Sequence, residues 1–166
     1  MNGVGNGTKI ENIYVLESAD DAIEFFGGTV NVTNLLAVNP DDDMFDFTQG
    51  YCGTLKNCYG VWESDYTSTE ADPRGIEADG NMDGLYPDHL RQSDFKVENM
   101  TIVNNAANTA DNVDRMQDVI KIRRGAKATI TNALVKGTGG AIDLVDMKDS
   151  KNGSRNERPA AACGGA

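Results

Sequence analysis

The sequence is poor in the residues that build most recognisable chemical centres. It has one histidine, His89, so no multi-histidine metal site can form. Its three cysteines, Cys52, Cys58 and Cys163, have no zinc-type spacing, and Cys58 reads as a free, half-buried thiol rather than a redox centre. With only four prolines it is not a linker-rich chain, and no apolar run reaches the ~18 residues of a membrane helix. The opening MNGVGNGTKI has neither the basic nor the apolar region of a signal peptide. Positive charge is scarce too: 15 Lys and Arg face 26 Asp and Glu, a net charge of −11. That balance excludes nucleic acid, whose phosphates need cationic side chains. It suits cation binding or contact with neutral or cationic partners.

What is present is repetition. Shifting GTKIENIYVLESADDAIEFFGG by 22 residues lays Asn12 on Asn34, Asp20 and Asp21 on Asp42 and Asp43, Phe25 on Phe47, and Gly28 on Gly50. The phrase hydrophobic-x-Asn-hydrophobic-x-hydrophobic recurs around Asn12, Asn34, Asn57, Asn99 and Asn132. Alternation of period two marks a strand with one face inside. Inward positions two before and one after the Asn are three apart, which requires a bend. Asn is the non-glycine residue that best tolerates the left-handed conformation there. Five asparagines at one register predict a ladder of stacked amides.

A second strand follows in each repeat, aligned through Ile23, Phe45, Ile76, Ile120 and Ile142, with Phe25, Phe47, Ala78, Ile122 and Leu144 as inward partners. A 22-residue period without helical spacing excludes a leucine-rich repeat, which needs leucines at fixed offsets and a helical side. The fold class expected is all-β, a right-handed single-stranded parallel β-helix of about five coils over residues 1–147, with an irregular tail at 148–166.

The spacing from Asn to the second strand is 11 in the first two coils but 19 and 21 in the third and fourth. Insertions near 62–73 and 104–117 therefore rise on one side of the GIEA strand, and residues near 80–93 rise on the other. Loops on a rigid scaffold are where binding usually lives. The trough between them has a predicted floor of Glu24, Asp46, Glu77, Lys121 and Asp143, with Asp79 and Arg123 at its end. Trp62, Tyr66, Arg74, Tyr86, His89 and Arg91 are the candidate ligand-binding residues of its walls.

Stacked coils are ~4.8 Å apart, so equivalent acids repel by roughly 1 kcal/mol per pair even in water. Two remedies are open. Calcium held by Asp20, Asp21, Asp42 and Asp43 is one, although no EF-hand or GGxGxD repeat is present. A salt-bridge ladder is the other, since Arg74 and Asp118 continue the Asp21–Asp43 column and Lys121 follows Glu77. An enzyme reading assigns Glu77 with Asp79 or Asp46 as the acid pair of a glycosidase or esterase. A lyase would use Asp46, Glu77, Lys121 and Arg123. No serine sits in a nucleophile-elbow context.

The phrases GVGNGTKIENI, SADDAIEFFGGTVNVTNLLA, DDDMFDFTQGYCGTL, RGIEADG and GTGGAIDL resemble a family of uncharacterised secreted or lipid-anchored β-helix proteins of marine and gut bacteria, Bacteroidetes among them. The resemblance covers residues 3 to about 146. It implies an extracytoplasmic, secreted or surface-anchored protein, and further coils ahead of GVGNGT. The chain is accordingly expected to be a fragment, with solenoid ends open to self-association. The resemblance carries no settled activity. The leading expectation is a non-catalytic surface module for carbohydrate or another extracellular ligand, with acidic ladders open to calcium. The alternatives are a polysaccharide lyase or hydrolase, and a spacer with no site.

Overall fold

The computed structural model describes residues 1–81, 91–107 and 116–147. Among the described residues ten strands follow one another: β1 (Lys9–Leu16), β2 (Glu24–Phe26), β3 (Asn31–Val38), β4 (Phe45–Thr48), β5 (Thr54–Trp62), β6 (Ile76–Asp79), β7 (Asp94–Asn104), β8 (Met116–Arg123), β9 (Lys127–Lys136) and β10 (Ala141–Asp146). The long odd-numbered strands form one sheet, in the order β1-β3-β5-β7-β9. The even-numbered strands form a second, in the order β2-β4-β6-β8-β10, and every pairing is parallel. Each coil contributes one strand to each sheet, so the chain is a parallel β-helix, with five coils among the described residues. Among the described residues no helix is long and apolar enough to cross a membrane.

The bend inside each long strand is made by asparagine. Asn12, Asn34, Asn57, Asn99 and Asn132 have φ of 57°, 60°, 55°, 58° and 56°. Their amides are chained across coils: Asn34 Nδ2 donates to Asn12 Oδ1 at 2.8 Å, Asn57 to Asn34 at 3.0 Å, and Asn99 to Asn57 and Asn132 to Asn99 at 2.9 Å. Because the bend recurs at one register, the positions flanking it stay in columns. Ile10, Val32, Leu55, Val97 and Ile130 are paired in turn, as are Ile13, Leu35, Cys58, Met100 and Ala133.

The core fills the space between the sheets. Phe25 and Phe47 stack with ring centroids 5.5 Å apart and planes 2° from parallel, and Phe47 stacks on Phe95 at 3.9 Å. Tyr51 joins them with its hydroxyl donating to Val30 O at 2.7 Å. A Cβ at residue 53 would lie 2.1 Å from Val30 O and 2.2 Å from that hydroxyl, which makes Gly53 obligatory. Cys58 is buried and free, and burial pushes its thiol up to about 12.

At the corner leaving the short strands two consecutive residues are left-handed: Gly27–Gly28, Gln49–Gly50 and Arg124–Gly125. Glycine holds the second place each time because φ there is 77° to 88°.

One expected register is corrected. β10 pairs Ala141 with Met116, Asp143 with Asp118, Val145 with Ile120 and Asp146 with Lys121, three residues away from the alignment of Ile142 with Ile120. Ile142 and Leu144 are 51% and 61% exposed instead of buried. In the observed register Asp146 takes the place expected for Asp143 against the buried Lys121 ammonium, so an aspartate stands there in either alignment and this ion pair does not account for the shift.

Candidate functional site

The pleat places Phe45 and Phe47 of β4 inside and leaves Asp46 and Thr48 on the outer face. Parallel registration stacks that outer position into the column Glu24, Asp46, Glu77, Lys121 and Asp146, with Asp146 where Asp143 was expected. Asp79 and Arg123 pair at the strand ends. Ahead of the strands, Asp43 N–H donates to Asp21 Oδ1 at 3.0 Å, and Arg74 reaches Asp118.

Over β6, β8 and β10 four bases stand among the acids of this face, which here include Asp118, Asp143 and Asp146 with one oxygen each within 4.8 Å of one another. Arg74 pairs with Glu77, with Asp72 at 2.9 Å and with Asp118 at 3.4 Å. Arg123 pairs with Glu77 and, at 2.8 Å, with Asp79, which also takes Arg124 at 2.7 Å. Lys121 pairs with Asp146 and, at 3.7 Å, with Asp118, not with Glu77 as its place in the column suggested. Burial alone would lower the Arg74 and Arg123 guanidiniums, but the carboxylates around them outweigh it and hold both above their ordinary value.

Over β2 and β4 the same face is acidic and unbalanced. One carboxylate oxygen each of Asp21, Asp43 and Asp46 lie within 4.8 Å of one another, as do those of Asp20, Asp21 and Asp42. Asp43 and Asp46 are only 3% and 8% exposed, and Oδ1 of each is buried without a hydrogen-bond partner. Burial pushes both carboxyls well above the usual range, and neighbouring acids add to it: Glu77 most for Asp43, Asp21 most for Asp46. Asp21 and Asp42 are pushed up to about 7, again mainly by burial. Glu24 is raised by burial, and its hydrogen bond with Asp46 works against that. Between the two halves lies a polar depression of about 210 Å³, reached by Glu24, Asp46, Glu77, Asp79, Arg123 and Arg124.

The residues predicted for the site are thus divided. Glu77, Asp79, Asp46, Lys121 and Arg123 share one face, and Asp20, Asp21, Asp42 and Asp43 adjoin it. Trp62 is corrected: it is wholly buried, with Nε1 donating to Pro40 O at 2.9 Å, so it belongs to the core and not to a wall. Its ring packs on Tyr66, half-buried, whose hydroxyl donates to Asp41 Oδ1 at 3.2 Å. Arg74 is also buried and consumed in ion pairs rather than open to a ligand. Arg91 is exposed beside Gly50, while Tyr86 and His89 lie outside the described residues. Sequence reasoning missed Arg124. Its signal was Gly125, which aligns with Gly28 and Gly50 and so sets Arg124 at a left-handed corner, turned onto Asp79.

A parallel β-helix with a charged outer face on its short-strand sheet is the class that fold and site define. Residues 1–161 match the family model described as a pectate-lyase-like β-helix domain, and the chain belongs to that family. No curated protein and no solved structure matches it significantly.

Proposed function

We propose that the protein is an extracellular binding module that holds a calcium ion on the outer face of β2 and β4 and presents it to a carbohydrate ligand. One observation carries this reading: Asp43 and Asp46 each keep a buried, unpartnered carboxylate oxygen inside a cluster of acids. A buried carboxylate without a partner is costly and must be protonated or neutralised. Oxygens ligating one calcium at ~2.4 Å lie at most about 4.8 Å apart, the span of Asp21, Asp43 and Asp46. One oxygen from each of three carboxylates leaves half or more of a six-to-eight-oxygen shell open. Sugar hydroxyls or carboxylates entering from the adjoining depression can complete it.

Binding is favoured over turnover by the state of the bases. A lyase needs a base free to take a proton, and Lys121 and Arg123 are each held by two carboxylates. Isothermal titration with calcium at pH 7.5 tests the proposal. One site is expected in the native chain and none in the Asp43→Asn/Asp46→Asn variant. Absence of heat and of any melting shift with calcium, magnesium or manganese would end it.

A further inference from the structure

We infer that the outer face of the long-strand sheet is a second binding surface, one that takes a neutral glycan chain and works without a cation. Beyond the asparagine bend, one outward position per coil forms the registered column Tyr14, Leu36, Tyr59, Thr101 and Leu134. Tyr14, Leu36, Tyr59 and Leu134 are 59%, 38%, 39% and 53% exposed, and Leu16 beside them is 51% exposed. Among the described residues, every exposed large hydrophobic ahead of β10 lies on this face. Scattered single apolar residues need no explanation, but a contiguous stripe on a flat sheet marks an interaction surface.

The chemistry around the stripe selects its occupant. Two residues away runs the exposed asparagine column. Each amide has two N–H donors and a carbonyl with two lone pairs, and the ladder uses one of each in the interior asparagines. An apolar strip beside a strip of amides matches a pyranose chain, which shows C–H faces and hydroxyl edges. Tyr14 and Tyr59 stand two rungs apart in one column, about 10 Å, close to the two-residue repeat of an extended β-linked glycan.

Charge complementarity points the same way. The bordering charges cancel in part, Lys9 with Glu11 at 3.1 Å and Lys56 with Glu98 at 3.3 Å, and leave the exposed Lys96 and Lys136 over on a face of a chain that carries −11 in all. A second copy would bring another −11 towards the first, and a polyanion would meet the same field with only two lysines at the rim to offset it. A neutral polymer meets no such barrier. This surface is separate from the acidic one and does not rest on it.

Co-sedimentation in EDTA with microcrystalline cellulose, insoluble β-mannan and chitin tests the inference. Retention is expected on at least one of them. Tyr14→Ala/Tyr59→Ala should weaken it about tenfold or more, since two ring contacts are lost. Tyr14→Phe/Tyr59→Phe should retain it, and all three proteins should melt alike. The inference is overturned by retention on none of the polymers, by equal retention of the alanine pair, or by retention that EDTA abolishes. It is equally overturned if sedimentation velocity shows a dimer that the alanine pair dissolves, since the face would then join two copies of the chain.

Discussion

On the outer face of the short-strand sheet, Glu77 of β6 lies between Arg74 and Arg123, whereas Asp46, one coil earlier in the same column, lies among Asp21, Asp43 and Glu24. Both carboxylates are nearly buried, at 9% and 8% exposure, and both sit on equivalent positions of one repeat. Glu77 has its counter-charges built in. Asp46 does not, among the described residues, and must obtain a proton or a cation from solution. Stacking puts like beside like in a solenoid, so the charge of each column is set by which coil happens to carry a base. Arginines enter this face only from the third coil on, and among the described residues none pairs with Asp46 of the second.

The comparison predicts opposite responses to similar substitutions. Glu77→Ala leaves two buried guanidiniums short of a partner, and urea unfolding should show a loss of about 3–5 kcal/mol. A loss under 1 kcal/mol would mean that this half of the face is not held by its ion pairs. Calcium in hundredfold excess over its dissociation constant should raise the native chain's stability by about 2.7 kcal/mol, read as a melting shift of several degrees, and should leave Asp43→Asn/Asp46→Asn unmoved.

The pH dependence sharpens the same contrast. Asp21 and Asp42 have folded-state values raised to about 7 from an ordinary 3.8. Between these values the folded chain binds more protons than the unfolded one, so stability falls as pH rises. In EDTA the melting temperature should therefore decline from about pH 4 to about pH 7, and saturating calcium should flatten that decline by binding the deprotonated acids. A melting temperature that climbs across this window in EDTA would reverse the assignment.

Much of this was legible in the sequence. The asparagine spacing gave both the bend and the register, because a left-handed bend recurring at one place leaves the strands no other alignment. Acid columns followed from that register. What sequence could not provide was reach. Arg74 and Arg123 are long enough to choose among several acids, and both chose Glu77, while Lys121 took Asp118 and Asp146. The register of β10 was not legible either: it lies three residues from the hydrophobic alignment and leaves Ile142 and Leu144 exposed. Trp62 stands where an insertion begins and was read as part of it, but β5 continues through Trp62 and carries the ring into the core. Tyr14 and Tyr59 were in plain view as outward positions, yet their significance depends on exposure, which alternation alone does not report.

On the function proposed above, the acids of β2 and β4 hold a cation and are not a second self-neutralised ladder. Urea unfolding of Asp43→Asn at pH 8, in EDTA and again in excess calcium, tests it most directly. Relative to the native chain the variant should be more stable in EDTA by about 1 kcal/mol, since a buried unpaired charge is gone, and less stable in calcium, since a ligand is gone. An equal effect of the substitution in both buffers would contradict the claim.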